Sequence, residues 1–257
     1  MEIRPFFSVV MATYNRDSYL PRSIRSLLAQ TDKDWEAVIV DDGSTDNTSN
    51  QLQALIDGDC RFKVVRLNRN SGVSRAKNVG IRCATGKFVT FLDSDDEYHA
   101  NHLDSRRSIL ETNPNIEFLH GGFSVVGNPY VPDANNRSRQ IDVKKCVLGG
   151  TFFVRRDIIA RLGGFPCVQY AEDTKLLQLA KERNLRILQI DDPTYVYYRN
   201  TPGQITLKTR SSKTTKNAGW VKPVLDFLSS VYKTCKSVQF SSIVQRARNW
   251  RSWAEEV

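Results

Sequence analysis

Cysteine and histidine are scarce in this sequence. Its 257 residues include five cysteines and three histidines, and no two cysteines form a Cys-x-x-Cys pair. A disulfide framework or a cysteine-ligated zinc site is therefore disfavoured, and we expect reduced thiols in the core. His99 and His102 are spaced to share one helix face, but the sequence offers no evident third nitrogen or sulfur ligand. Metal ligation by this pair stays an alternative to a surface or capping position.

Long hydrophobic runs are also missing. The apolar segments, such as residues 6–12 and 37–40, have the length of strands, whereas a bilayer-spanning helix needs about 20 residues. The charged Glu2 and Arg4 lead directly into the first apolar block, which does not resemble a signal peptide. Together these features predict a cytoplasmic protein.

The glycine-rich phosphate-binding motifs are absent as well. The chain contains neither Gly-x-Gly-x-x-Gly nor a P-loop, which disfavours a dehydrogenase and an NTPase. It also lacks the glycine-rich basic N-terminal loop expected of a nucleotidyltransferase. Any nucleotide chemistry must therefore rest on other residues.

Positive charge is concentrated at the C-terminal end. The formal net charge is +9, and residues 208–257 contain ten Lys or Arg against three Asp or Glu. Aromatic residues are interspersed among these charges, which predicts a basic helical extension, residues 208–257, behind a domain formed by residues 1–207. Such an extension can contact an anionic membrane face or an acidic partner, or act as a solubilising end. Peripheral contact with the inner membrane face is thus one option, and nucleic acid is disfavoured.

Strand-like and helix-like segments alternate from residue 6 to residue 92. We predict strands at 6–12, 35–40, 62–67 and 87–92, and helices at 20–28 and 74–83. A further helix, capped by Thr45 or Asp46, carries Leu52, Leu55 and Ile56. The second half is less regular, with a strand at 116–126 interrupted by Gly121 and Gly122, a loop at 127–139 and a short strand at 151–154. Helices at 157–162 and 172–183 and strands at 187–190 and 195–198 follow. The pattern predicts an α/β fold with a mostly parallel sheet.

Three acidic clusters lie where ligands collect in an open α/β sheet, at the carboxyl ends of strands or at a helix start. They are Asp41-Asp42, Asp93-Ser94-Asp95-Asp96 and Glu172-Asp173. Alone, each has an ordinary explanation as a turn, a helix cap or a partner of a helix dipole. Together they favour a bound cation, because crowded carboxylates repel one another. Oxygen ligands suit Mg²⁺ or Mn²⁺ bridging carboxylate and phosphate, so the pattern indicates a diphosphate ligand.

Five motifs, in this order, resemble glycosyltransferase family 2, the inverting enzymes of GT-A fold. They are residues 8–16 (SVVMATYNR), 40–46 (VDDGSTD), 70–80 (NSGVSRAKNVG), 86–96 (GKFVTFLDSDD), and Gly163-Gly164-Phe165 followed by Glu172-Asp173. The resemblance covers residues 6–207 and leaves out the basic extension. Lys77 departs from the family pattern, which more often has Arg before the Asn, but the positive charge is retained.

This resemblance implies a Rossmann-like three-layer α/β/α fold with a mostly parallel mixed sheet. It implies a metal-dependent inverting hexosyltransferase that moves a sugar from a nucleotide-sugar, usually a UDP-sugar, to an acceptor hydroxyl by direct displacement. By the same resemblance, Asp173 is the general base, and Asp93 and Asp95 hold Mn²⁺ or Mg²⁺. The implied nucleotide-sugar-binding residues are Thr13, Tyr14, Asn15, Arg16, Asp41, Gly72, Lys77, Asn78, Asp93 and Ser94.

Two alternatives stay open at this point. The chain could be a non-catalytic GT-A-like binding module, tethered by its basic tail to an anionic partner. Arg199 could contact the diphosphate or be an exposed arginine at a strand end. The donor sugar and the acceptor depend on variable loops, which the sequence does not interpret.

Overall fold

The first half of the chain alternates strands and helices, as its sequence predicts. The structure, a computed structural model, describes residues 4–133, 136, 138–168 and 170–199. Its first elements are β1 (Phe7–Thr13), α1 (Leu20–Leu28), β2 (Trp35–Asp41), α2 (Thr48–Ile56), β3 (Phe62–Arg66), α3 (Val73–Cys83) and β4 (Phe88–Phe91). The strands β3, β2, β1 and β4 are neighbours in this order and run parallel. Their carboxyl ends therefore share one edge of the sheet.

The second half completes a mixed sheet. It contains β5 (Glu97–Tyr98), α4 (His102–Thr112), β6 (Phe118–Gly127), β7 (Tyr130–Pro132), β8 (Gln140–Asp142), β9 (Phe153–Arg155), α5 (Arg156–Arg161), α6 (Glu172–Glu182) and β10 (Ile187–Arg199), with short 3₁₀ turns at Val143–Lys145 and Gly149–Thr151. The eight-stranded sheet has the order β3-β2-β1-β4-β9-β6-β10-β5. β9 runs antiparallel to β4 and β6, and β5 antiparallel to β10, whereas the other pairs are parallel.

Apolar side chains explain how the central strands are covered. β1 and β2 are buried along almost their whole length, as expected of parallel strands with helices on both faces. Leu20, Ile24 and Leu27 of α1 follow the helical period and are fully buried. On α3, a Cβ added to Gly80 would overlap Val10 of β1, so a glycine there lets this helix approach the strand closely.

Gly121 and Gly122 do not break their strand, so the predicted interruption was wrong. β6 is continuous from Phe118 to Gly127, and both glycines have positive φ angles, 99° and 74°. Added Cβ atoms would overlap the carbonyl oxygens of Ile190 and Asp192 on β10, which shifts register in this region. Because they have no side chain, the glycines allow the irregular backbone of β10 to approach β6 closely. β10 itself is one long strand rather than the two predicted.

The segment predicted as a loop at 127–139 contributes a strand. β7 pairs antiparallel with β8, and Val131 in this hairpin is 5% exposed. The Tyr170 hydroxyl donates a hydrogen bond to the carbonyl oxygen of Pro132 at 2.8 Å. The loop prediction was therefore wrong for residues 130–132.

The placement of the described cysteines differs from the expected core positions. The cysteines at positions 60, 83, 146 and 167 are free thiols. Cys60 and Cys167 are exposed and the other two are half-buried. The expectation of core positions was thus wrong for the four thiols in the described part of the chain.

Within the described residues, no helix has the length and apolar character needed to cross a membrane. The basic extension at 208–257, with its predicted helices, lies outside those residues. The boundary between residues 207 and 208 therefore stays a prediction.

Candidate active site

A buried lysine links two of the acidic clusters. The Lys77 side chain is 4% exposed, and its Nζ lies 2.8 Å from Oδ1 of Asp93, just after β4. Burial by itself lowers the pKa of Lys77. Three carboxylates outweigh burial and raise this pKa above its ordinary value: Asp93, Glu172 and Asp173. The ammonium group therefore stays charged, paired with Asp93 after β4 and influenced by the charges of the two carboxylates at the start of α6.

The environment of Asp173 suits a general base. Its Oδ1 accepts a hydrogen bond from the N–H of Thr174 at 2.7 Å, and its Oδ2 accepts one from Gly149 at 3.2 Å. Burial and then the charge of Glu172 raise the pKa of Asp173 to about 6, against the lowering effect of these hydrogen bonds and of Lys77. At neutral pH the carboxylate is ionised, and it takes up a proton more readily than an ordinary aspartate.

Side chains of helix α1 bind the backbone of the turn that follows β4. The Arg22 guanidinium donates a hydrogen bond to the carbonyl oxygen of Asp95. Ser23 Oγ lies 2.6 Å from the carbonyl oxygen of Asp96 and 3.3 Å from that of Asp93. These contacts fix the main chain of the turn and leave the carboxylates of Asp93 and Asp95 to other partners.

The loop after β1 is joined to the loop after β2. The N–H of Asn15 donates to Ser44 Oγ at 3.0 Å, and Asn15 Oδ1 accepts from the N–H of Thr45 at 2.8 Å. Arg16 extends from this loop to the turn after β4, where its Nε lies 3.9 Å from Oδ2 of Asp95. Of the same motif, Thr13 is buried and Tyr14 is 38% exposed. Two acidic motifs are thereby brought to one edge of the sheet.

Asp41 and Asp42 hold different loops. Asp41 is 1% exposed, and its carboxylate accepts hydrogen bonds from Ser44 N at 2.9 Å and Ser49 Oγ at 2.6 Å. Asp42 accepts from the backbone N–H groups of Ser71 and Gly72, both at 2.8 Å. Asp41 therefore organises its own turn, whereas Asp42 fixes Gly72 at the start of α3.

Asn78 binds the glycine-rich motif that precedes α6. Its side-chain amide accepts a hydrogen bond from the N–H of Phe165 at 2.7 Å and donates one to the Phe165 carbonyl oxygen at 2.8 Å. Gly164 has a φ angle of 77°, and an added Cβ would overlap Asn78 Oδ1. Asn78 thus docks the Gly163-Gly164-Phe165 segment on α3, and its predicted contact with the nucleotide stays a prediction.

Two candidate residues have other partners. His102 is buried, and its Nδ1 lies 2.7 Å from Thr194 Oγ1 while its ring lies 4.0 Å from that of Tyr98. Arg199 is also buried and donates a hydrogen bond to the carbonyl oxygen of Tyr130 at 3.1 Å. His102 is a core residue, and Arg199 is not an exposed strand-end arginine because it ties β10 to the β7–β8 hairpin.

The carboxylates of Asp93 and Asp95 fit a metal ion shared with a substrate. The side chain of Asp93 is 30% exposed and that of Asp95 is 14% exposed. In the described part of the chain, no group of three or more Asp, Glu, His or Cys side chains is arranged to hold a metal by itself. Mg²⁺ commonly uses one or two carboxylates and completes its shell with phosphate oxygens and water. Two acidic oxygen donors therefore match a metal site that a diphosphate completes.

Four residues in this region were missed by the sequence interpretation. Asp42 and Asp96 were noted as members of acidic clusters but not as the buried supports that they are. Arg22 and Ser23 of α1 were not singled out, although Ser23 occupies the same helix face as Leu20 and Leu27. A polar residue within an apolar helical stripe is the signal that identifies Ser23, because such a residue needs a hydrogen-bond partner in the core.

Comparison with known proteins decides the family. Residues 8–160 match the profile described as Glycosyl transferase family 2. The chain belongs to this family. It is 30% identical over 182 residues to the Escherichia coli UDP-Glc:alpha-D-GlcNAc-diphosphoundecaprenol beta-1,3-glucosyltransferase WfgD, which covers 69% of this chain and 71% of WfgD. The family 2 chain is accordingly a glycosyltransferase, as its motifs predict.

Solved structures confirm the GT-A fold of this family 2 enzyme. Staphylococcus aureus TarS 1-349 in complex with UDP-GlcNAc superposes with a TM-score of 0.67 at 26% identity, covering 80% of this chain and 62% of that one. The mannosyltransferase PcManGT from Pyrobaculum calidifontis, in complex with GDP-Man and Mn²⁺, gives a TM-score of 0.62 at 24% identity and covers 78% and 59%. This chain thus spans less than two thirds of either protein, and the second likeness concerns the fold alone.

Proposed function

We propose that this glycosyltransferase moves a sugar from a UDP-sugar to an acceptor hydroxyl by direct displacement, with inversion at the anomeric carbon. The observation that carries the proposal is the ion pair between the buried Lys77 ammonium and Asp93, at a site where the charges of Glu172 and Asp173 also act on the pKa of Lys77. This electrostatic link between a candidate donor-side carboxylate and the candidate base supports the proposal. The E. coli relative uses UDP-Glc and the TarS structure holds UDP-GlcNAc, which supports a UDP-sugar donor.

Asp173 is the residue that we assign as general base. Its carboxylate, with a pKa raised to about 6, would accept the proton of the acceptor hydroxyl as that oxygen attacks the anomeric carbon. General base catalysis of this kind contributes about 10²- to 10⁴-fold to the rate. Attack from the face opposite the leaving group inverts the anomeric centre, so the enzyme needs no nucleophile of its own.

The donor side of the proposal rests on charge. Asp93 and Asp95 would hold Mn²⁺ or Mg²⁺, which when bound neutralises the negative charge that develops on the leaving diphosphate. Lys77 and Arg16 add fixed positive charge beside these two carboxylates. The proposed surroundings of the nucleotide and sugar are residues 13–16 together with Asp41, Gly72, Asn78 and Ser94.

A non-catalytic binding module is the less favoured function. The E. coli relative is a named glucosyltransferase. In this chain Asp173 has a raised pKa, of about 6, which suits a general base. That relative acts on a diphosphoundecaprenol-linked sugar, so a lipid-linked saccharide is the acceptor that we propose to test first. Contact of the basic extension with an anionic membrane face would suit such an acceptor.

The Asp173→Asn variant tests the assignment of the base. We expect the transfer rate to fall by at least about 10²-fold because the amide cannot accept the proton, while the affinity for UDP with Mn²⁺ changes less than about twofold. The measurements are UDP release in the presence of a synthetic GlcNAc-diphospholipid and a panel of UDP-sugars, and calorimetric titration with UDP. Glu172→Gln is the matched control, since it removes the adjacent charge and leaves Asp173 in place.

Either of two results would contradict this assignment. Loss of UDP affinity together with activity in Asp173→Asn would make the residue structural, and an unchanged rate would make another group the base. The same titration with a chelator in place of Mn²⁺ tests the metal. UDP affinity that does not fall in the chelator would remove the ion from the proposal.

A further inference from the structure

Tyr195 of β10 contacts the carboxylate turn that α1 also holds. Its hydroxyl donates a hydrogen bond to Oδ2 of Asp96 at 2.6 Å and accepts one from the N–H of Asp93 at 3.4 Å. The other carboxylate oxygen of Asp96 accepts from the N–H of Tyr198 at 2.9 Å. The strand β10 therefore holds both ends of the turn that carries Asp93 and Asp95.

The same phenol packs against the segment that holds the candidate base. A Cβ added to Gly150 would overlap the hydroxyl oxygen and the ring of Tyr195, so Gly150 lies in direct contact with this side chain. The preceding residue, Gly149, donates its N–H to Oδ2 of Asp173 at 3.2 Å. Tyr195 thus stands between the carboxylate turn on one side and the support of Asp173 on the other.

Tyr195 has little freedom to move. The side chain is fully buried and its ring lies 5.7 Å from that of Tyr98, edge to face. Its backbone pairs with Phe123 of β6 and with Tyr98 of β5, so strands on both sides fix it. A phenol held in this way can act as a rigid spacer between the groups that it touches.

We propose that Tyr195 is a positioning residue that sets the separation between Asp173 and the Asp93–Asp95 pair. This inference rests on the proposed function, in which those carboxylates serve the two sides of one transfer. A reaction between two bound substrates is sensitive to spacing, since a displacement of about 1 Å can lower the rate by 10²-fold. The tyrosine touches neither substrate in this scheme and acts through Asp96 and Gly150.

Tyr195→Phe is the test, and Tyr98→Phe is its matched control. Both changes remove one buried phenol hydroxyl, and that of Tyr98 donates to the carbonyl oxygen of Phe91 at 2.8 Å and lies 3.3 Å from Thr90 Oγ1. Within the described residues, its hydrogen-bond partners include neither Asp96 nor Gly150. We expect similar losses in melting temperature. Tyr195→Phe alone should lower kcat about 10-fold or more, with a smaller change in the KM for the UDP-sugar, whereas Tyr98→Phe should stay within about twofold of the native kcat.

Hydrogen exchange supplies a measurement that does not depend on activity. We expect the amides of residues 147–151 to exchange faster in Tyr195→Phe than in Tyr98→Phe, because the first variant loosens the packing on Gly150. Equal kcat values for the two variants, or unchanged exchange at 147–151 in Tyr195→Phe, would overturn the inference. If the native enzyme transferred no sugar, the proposed function would fail, and the exchange measurement would still decide whether Tyr195 fixes this segment.

Discussion

The basicity of Asp173 is a balance between effects from its own helix start and effects from residues distant in the sequence. Burial and Glu172 raise its pKa, while Lys77 and the N–H groups of Thr174 and Gly149 lower it. The sequence identifies the carboxylate through its motif, but the balance among these neighbours depends on where the fold places Lys77 of α3 and the 3₁₀ turn at Gly149. The raised pKa places the protonation of Asp173 in a range that rate measurements can reach.

The pH dependence of transfer follows from this balance. Protonated Asp173 cannot act as a base, so we expect kcat/KM to fall tenfold per unit of pH as the pH drops below about 6. Glu172→Gln removes a charge that raises the pKa of Asp173, and the acidic limb should therefore move to lower pH in this variant. Initial rates between pH 4.5 and 8, with saturating metal, measure the acidic limb of the native enzyme and that of Glu172→Gln.

The contrary result for the pH profile is also clear. A limb near pH 4, or one that stays in place in Glu172→Gln, would mean that Asp173 is not the group that titrates. Asp104, an exposed residue in the first turn of α4, supplies a control carboxylate. Asp104→Asn should leave the profile unchanged.

At the scale of elements, local patterns predict the parallel half of the sheet well. β1 to β4 and their helices have apolar periods and turn residues that agree with their final state. The wrong predictions concern segments whose conformation is set by tertiary packing. Gly121 and Gly122 interrupt no strand because β10 is irregular beside them, and β7 is too short to show alternation. Tyr195 has the sequence signature of any strand tyrosine, so its contacts with Asp96 and Gly150 require the fold.

Asn78 connects two elements that the sequence separates widely. Asn78→Ala would leave the N–H and carbonyl of Phe165 without their side-chain partner, which costs about 1–3 kcal/mol of unfolding free energy. We expect a fall in melting temperature of several degrees, at about 2–4 °C per kcal/mol for a domain of this size. Asn113→Ala is the control, since that amide donates only within its own helix end, to Ile109 at 2.9 Å. Differential scanning calorimetry of both variants measures the difference.

Activity should follow stability in this case. Freed from Asn78, the segment at Phe165 would hold the start of α6 less firmly, so Asn78→Ala should also lower kcat at a temperature where the variant is folded. If Asn78→Ala were as stable as Asn113→Ala, the pair of hydrogen bonds between Asn78 and Phe165 would contribute little to stability.

At the scale of the whole molecule, charge divides the chain. The candidate site lies at the carboxyl edge of the sheet, whereas most of the net charge of +9 belongs to residues 208–257, with ten Lys or Arg against three Asp or Glu. The resemblance that predicts the site covers residues 6–207, and the described residues end at 199. The extension can therefore be removed in an experiment without removing any proposed site residue.

A truncated chain of residues 1–207 tests whether donor binding and membrane binding belong to different parts of the sequence. We expect it to bind UDP with Mn²⁺ as tightly as the full chain, because every proposed donor contact is retained. Binding to vesicles that contain phosphatidylglycerol should fall sharply, since each Lys or Arg near an anionic surface contributes about 1 kcal/mol. Cosedimentation with these vesicles and with neutral phosphatidylcholine vesicles measures the effect. Equal vesicle binding by both chains would exclude a membrane role for the extension, and loss of UDP binding in a folded truncated chain would make the extension part of the catalytic domain.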